Sequence, residues 1–127
     1  MKEKIVLHGK VEHGKKLGRQ MNIPTANIVP LEDVSDLKYG VYYSTTYING
    51  KEYKSITNLG TKPTVKSGKE VNVESFIYDF EGDLYDEDII VEFHEFRRPE
   101  MRFDNISELK KQMNEDLEAG LNYEKSE

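Results

Sequence analysis

Gly40-Val41-Tyr42-Tyr43-Ser44-Thr45-Thr46-Tyr47-Ile48 runs into Asn49-Gly50 and then into Glu52 to Leu59. The first stretch is dense in β-branched and aromatic residues, which fit a pleated, half-buried surface. Asn-Gly supplies the two positive-φ positions of a type I′ turn, whose twist matches the strands on either side. The pattern predicts a tight antiparallel hairpin. Outward from it the same signals recur. Lys4 to Val11 reads as a short strand, and Val71 to Phe80 and Asp88 to Phe96 read as a second hairpin with a longer connection through Glu81-Gly82-Asp83. Leu31 to Lys38 is acidic and polar and reads as a loop.

Past about residue 97 the period changes. Ile106, Leu109, Met113 and Leu117 fall three or four apart, Asn105 or Asp104 stands ready to cap, and Gly120 lies where a helix would be released. An amphipathic helix must cover something, and a sheet of about six strands with open edges is the other element available. Hairpins without crossover helices favour a small antiparallel barrel or sandwich with the helix against an end or side. The expected class is all-β, a Greek-key-like β-barrel with a C-terminal α-helix. Asn122 to Glu127 reads as a frayed tail.

At 127 residues and 14.8 kDa the chain is read as one domain over 1–127. No apolar run is long enough to span a bilayer and the N-terminus carries no signal-peptide pattern, so a cytoplasmic protein without membrane contact is expected. The absence of cysteine excludes thiol nucleophiles, disulfides and cysteine zinc sites, and His8, His13 and His94 are too few for a His-rich metal site. A net charge of −6 argues against a general nucleic-acid partner. That charge is uneven. Lys2, Lys4, Lys10, Lys15, Lys16 and Arg19 crowd the front end, where they suit a polyphosphate or else a salt-mixed solvated surface.

Three segments carry candidate chemistry. If Ile23-Pro24-Thr25-Ala26-Asn27-Ile28 is extended, Thr25 and Asn27 point one way and Ala26 and Ile28 the other. Two neutral oxygens could then share a cation such as Mg²⁺ whose remaining ligands come from phosphates and water. The same residues also fit a Pro-initiated turn that satisfies its own backbone. The loop from Gly9 to Arg19 combines glycines with cations, which suits a phosphate cradle as well as a plain connection, and it matches neither the P-loop nor the dinucleotide fingerprint. Glu74 interrupts a strand-like run and shares a face with Asn72, Phe76, Tyr78 and Phe80, as a partly buried carboxylate near a flat ligand would, or as an exposed strand glutamate. The acidic run Asp83, Asp86, Glu87 and Asp88 lacks EF-hand spacing and reads as a solvated turn. No G-x-S-x-G elbow or cysteine–histidine pair offers a nucleophile.

Taken in order, Gly9 and Val11 with His13-Gly14, Leu17-Gly18-Arg19, Ile23-Pro24-Thr25-Ala26-Asn27, Gly40-Val41-Tyr42, Asn58-Leu59-Gly60 with Pro63-Thr64-Val65, Glu74, Asp83-Leu84-Tyr85, and Arg98-Pro99-Glu100 with Phe103 resemble the riboflavin kinase (flavokinase) family from Gly9 to Asp116. The P-T-A-N tetrapeptide is the most specific of these. The resemblance implies a compact antiparallel β-barrel that moves the γ-phosphate of ATP to the ribityl 5′-hydroxyl of riboflavin, giving FMN and ADP. It implies Glu74 as general base, Thr25 and Asn27 as ligands of Mg²⁺ and phosphate, and Gly14 and Arg19 at the phosphate loop. Tyr85 is then expected on the nucleotide side, and Arg98, Met101 and Glu108 near the flavin. Asn22, Phe76 and Asp86 depart from the family pattern, Phe76 standing where a histidine is common. Many bacterial members join this barrel to an adenylyltransferase domain, so the resemblance implies such a domain, in a longer parent chain, as a partner. Two other classes stay open: a non-catalytic flavin- or nucleotide-binding barrel, and an oligonucleotide-binding barrel, which the acidic total disfavours.

Overall fold

A computed structural model describes residues 4–12, 23–64, 68–82, 84 and 86–124. Its strands are β1 (Ile5–Lys10), β2 (Thr25–Ile28), β3 (Gly40–Ile48), β4 (Lys51–Thr64), β5 (Gly68–Ile77) and β6 (Asp88–Pro99), followed by helix α1 (Ile106–Asn122). Neighbours pair antiparallel in the order β1-β6-β3-β4-β5-β2. Strand twist and two register shifts between β3 and β6 curl the sheet until its ends meet. There Glu12 N–H donates to the Asn27 carbonyl at 2.7 Å, and Leu31 N–H donates to the His8 carbonyl at 2.9 Å. The expected all-β, barrel-like architecture with a C-terminal helix is what the chain adopts.

The hairpin turn is of the expected type, with φ of 51° at Asn49 and 79° at Gly50. Several boundaries differ from expectation: β4 runs on to Thr64, β5 begins at Gly68 and β6 continues to Pro99. β5 stops at Ile77 and does not reach Phe80, because the chain turns at Asp79, where φ is 58°. The helix runs two residues past Gly120. Gly120 serves close packing: a Cβ there would lie 2.2 Å from Ile56 Cγ1 and 2.5 Å from Tyr78 Oη. Tyr78 uses that proximity to donate to the Leu117 carbonyl. The start of α1 follows the capping rule, Asn105 Oδ1 accepting from Glu108 N–H at 2.9 Å and Glu108 Oε2 accepting from Asp104 N–H at 3.3 Å. Beyond the helix Tyr123 stacks on Tyr43 at 4.1 Å, so the expected fraying does not begin there.

Strand alternation divides the sheet into two buried surfaces. The inner one gathers Ala26, Ile28, Tyr42, Leu59, Val73 and Val91 in the barrel core. Amid this apolar set, five buried hydroxyls close a ring: Ser44–Ser55 (2.7 Å), Ser55–Thr46 (2.9 Å), Thr46–Ser75 (2.8 Å), Ser75–Thr57 (2.8 Å) and Thr57–Ser44 (2.7 Å). Each hydroxyl has two neighbours in the ring, so each can donate once and accept once, which satisfies it without water. Thr46→Val keeps the shape but strands hydroxyls on Ser55 and Ser75, and is expected to lower stability by about 1–3 kcal/mol in urea denaturation. An unchanged midpoint would show the ring to be dispensable. The outer surface holds Val41, Ile56 and Phe76, and there α1 lies across the sheet with Met113 and Gly120 buried against it.

Candidate active site

The register aligns one row of side chains across the outer surface. Asn27 faces Glu74, Glu74 faces Asn58, Asn58 faces Val41, and Val41 faces Arg98, so five strands contribute directly opposed positions. Opposed residues in an antiparallel pair share a face with Cβ atoms about 4.5–5.5 Å apart. Thr25 lies one step along β2, opposite Phe76. The expected division of the tetrapeptide holds, with Ala26 and Ile28 wholly buried in the core and Asn27 opposite Glu74.

Between this row and α1 lies a cavity of about 230 Å³. Asn58, Glu74, Arg98, Glu100 and Asp116 are its polar lining, while Met101, Phe103, Leu109, Met113 and Leu117 make an apolar wall. Burial pushes the Glu74 carboxyl up to about 7, against a smaller opposing effect from its hydrogen bond with Asn27. Asn27 Oδ1 in turn accepts from Asn72 Nδ2 at 3.1 Å, so the Asn27 amide is held with its nitrogen toward the carboxylate. Asn72 Oδ1 is buried with no hydrogen-bond partner among the described residues.

At the far end of the row Arg98 is gripped from the helix. Its Nη2 donates to Asp116 Oδ2 at 2.6 Å and its Nε to Oδ1 at 3.0 Å, while Nη1 donates to the Pro99 carbonyl at 3.0 Å. Arg97 Nε shares Asp116 Oδ1 at 2.9 Å and its Nη1 reaches Tyr43 Oη at 3.1 Å. Burial alone would raise the Asp116 carboxyl, yet the hydrogen bonds from Arg98 and Arg97 hold it below the usual carboxylate range.

Of the residues singled out from sequence, Glu74, Asn27, Arg98 and Met101 are thus gathered on or beside one cavity, with Thr25 at its β2 edge. Glu108 does not line it; its carboxylate is engaged at the helix start. Gly14, Arg19 and Tyr85 lie outside the described residues, although Glu12, which leads into the glycine-basic loop, is bridged to Asn27. Asn58 and Asp116 carried no individual role in the sequence reading. Counting outward from the Asn49-Gly50 turn pairs Asn58 with Val41, which is a signal the sequence did contain. Asp116 had none, because a single acid on an amphipathic helix looks like any solvated residue until its neighbours are known.

Among the described residues no three acidic or imidazole side chains converge as a metal cluster. The donors on the β2 side of this face are the neutral oxygens of Thr25 and Asn27 beside the Glu74 carboxylate, with the Glu100 carboxylate also lining the cavity. That set fits a hard divalent cation which brings phosphates with it and retains waters. The amide of Asn27 is held in one orientation by Asn72, and its Oδ1 keeps a second lone pair for such an ion.

A family profile described as "Flavokinase: Riboflavin kinase" matches residues 1–123. A bifunctional riboflavin kinase/FMN adenylyltransferase of Pseudomonas fluorescens is 38% identical over 117 residues, covering 87% of this chain and 35% of that protein. An RNA-binding riboflavin kinase of Bacillus subtilis, RibR, is 37% identical over 112 residues, covering 88% of this chain and 48% of that protein. The chain therefore spans between a third and a half of these relatives. Among solved structures, one of a macrolide-efflux protein from Streptococcus pneumoniae superimposes with a TM-score of 0.81 at 30% identity, over 94% of this chain and 39% of that one.

Proposed function

The chain belongs to the riboflavin kinase family, and from that premise we propose that it phosphorylates the ribityl 5′-hydroxyl of riboflavin with ATP, giving FMN and ADP. The observation that carries the reading is the direct opposition of Asn27 and Glu74, hydrogen-bonded to each other on a face that continues into the cavity under α1. Glu74 takes the proton of the 5′-hydroxyl as its oxygen bonds to the γ-phosphorus and the bond to the ADP oxygen breaks. A carboxyl raised toward neutrality is well matched to such a task. The flavin ring occupies the cavity between Arg98 and the apolar wall, where the helix excludes water from one side of the reaction.

Thr25 and Asn27 would hold Mg²⁺ through their side-chain oxygens, with Gly14 and Arg19 on the phosphate side and Tyr85 beside the nucleotide. When bound, that cation neutralises charge on the β- and γ-phosphates, the dominant need in a loose phosphoryl-transfer transition state. The protein's own share is positioning: Asn72 fixes Asn27, and Asn27 fixes Glu74. Thr25→Ala or Asn27→Ala is expected to raise the Mg²⁺ concentration needed for half-maximal activity by roughly 10- to 100-fold. Unchanged metal dependence in both would remove them as ligands.

Riboflavin-dependent ADP release in a coupled assay with ATP and Mg²⁺ tests the reading. Flavin binding without ADP release would instead make the chain a non-catalytic binding module. In many bacterial members of the family an adenylyltransferase domain accompanies this barrel, and a longer parent chain would place it beside the FMN produced here.

A further inference from the structure

Asp116 is 4% exposed at the centre of an arginine cluster, yet the phosphoryl-transfer scheme gives it no task. Its two oxygens take the Nε and Nη2 edge of Arg98, the same edge with which a free guanidinium grips phosphate or carboxylate in bidentate fashion. Nη1 is drawn to the Pro99 carbonyl. What remains for the cavity is a flat cation with single N–H groups, and such a surface suits the face of an aromatic ring or a lone carbonyl. The same cavity is lined by Met101, Phe103, Leu109, Met113 and Leu117, which ask for an apolar guest. Asp116 is itself held in place, since Arg97 Nε donates to Oδ1 at 2.9 Å and Gln112 Nε2, one helical turn earlier, at 3.2 Å.

We propose that Asp116 is a positioning residue for the flavin ring: by occupying the bidentate edge of Arg98 it turns that arginine from a phosphate fork into a flat, ring-binding cation. This rests on the cavity being the flavin site. The arrangement also ties ring binding to helix docking, because α1 supplies both Asp116 and most of the apolar wall.

The test uses lumiflavin, the flavin ring system without its ribityl chain, titrated by fluorescence quenching against the whole chain. Mg·ATP binding is measured in parallel by calorimetry. Wild type binds lumiflavin, and Asp116→Asn is expected to weaken it about tenfold while Mg·ATP affinity stays unchanged. Arg98→Lys, which leaves the Arg97–Asp116 contact and the helix anchored, is expected to show the same loss, and the double variant no further one. Lumiflavin affinity unchanged in Asp116→Asn, or losses that multiply in the double variant, would overturn the proposal. If Asp116→Asn does not fold, the arginine arm decides, and wild-type affinity in Arg98→Lys would overturn it. Failure of the wild-type chain to bind riboflavin itself would instead remove the flavin site on which the proposal stands.

Discussion

Glu74→Gln is expected to lower riboflavin phosphorylation by about 10²- to 10⁴-fold, the usual contribution of a positioned general base, while riboflavin and Mg·ATP still bind. The substitution keeps the size of the side chain and its place opposite Asn27 and Asn58. It removes only the ability to take up a proton. Because the proposed transition state is loose and leans on charge neutralisation, the residual rate should remain well above the uncatalysed one. Measured as separate kcat and KM values, the loss should fall on kcat. A variant with unaltered kcat would take Glu74 out of the chemistry, and one that lost riboflavin affinity alone would make it a binding residue.

The same substitution should make the metal-free protein more stable. Burial raises the Glu74 carboxyl from 4.5 to about 7. Below about pH 4.5 the group is neutral in both the folded and the unfolded chain, so it contributes no difference. Between the two values the unfolded chain has released its proton while the folded chain retains it, and stability falls as pH rises through that window. Above about pH 7 the carboxylate is ionised in both states and the whole cost of burying its charge is present, about 3 kcal/mol. Glu74→Gln carries no such charge. In chelator-treated protein, the difference in unfolding free energy between variant and wild type should be near zero at about pH 4.5 and grow to about 3 kcal/mol in the variant's favour at about pH 8. A pH-independent difference would mean that Glu74 titrates normally. Opposite signs for activity and stability are what a buried functional acid produces, since its environment is selected for reactivity.

Much of this was legible before the fold was known, for local reasons. Asn49-Gly50 dictated a turn, and the turn dictated the β3–β4 register; alternation in Thr25-Ala26-Asn27-Ile28 separated two core residues from two polar ones. The juxtaposition of Asn27 with Glu74 was not legible. It depends on β2 and β5 pairing across a sequence separation of 45, that of the Asn72–Asn27 bond, and no local pattern encodes a pairing at that range. Gly120 departs from its usual role for a related reason. A glycine near the end of a helix normally signals release, but here the missing Cβ lets α1 approach Ile56 and Tyr78, and the helix continues past it. The buried hydroxyl ring was equally hidden, because Ser44, Thr46, Ser55, Thr57 and Ser75 look like ordinary strand polarity until three strands place them together. Asp116 lay on a helix whose apolar stripe was plain, while its arginine partners came from β6.

The most direct test of the central claim is a rapid-quench single turnover with enzyme in excess over riboflavin, saturating Mg·ATP carrying a labelled γ-phosphate, and wild-type protein beside Glu74→Gln. Label should pass into FMN within one wild-type turnover, and Glu74→Gln, with riboflavin demonstrably bound, should transfer it orders of magnitude more slowly. Equal transfer rates in the two proteins, or no labelled FMN from wild type despite bound substrates, would contradict it.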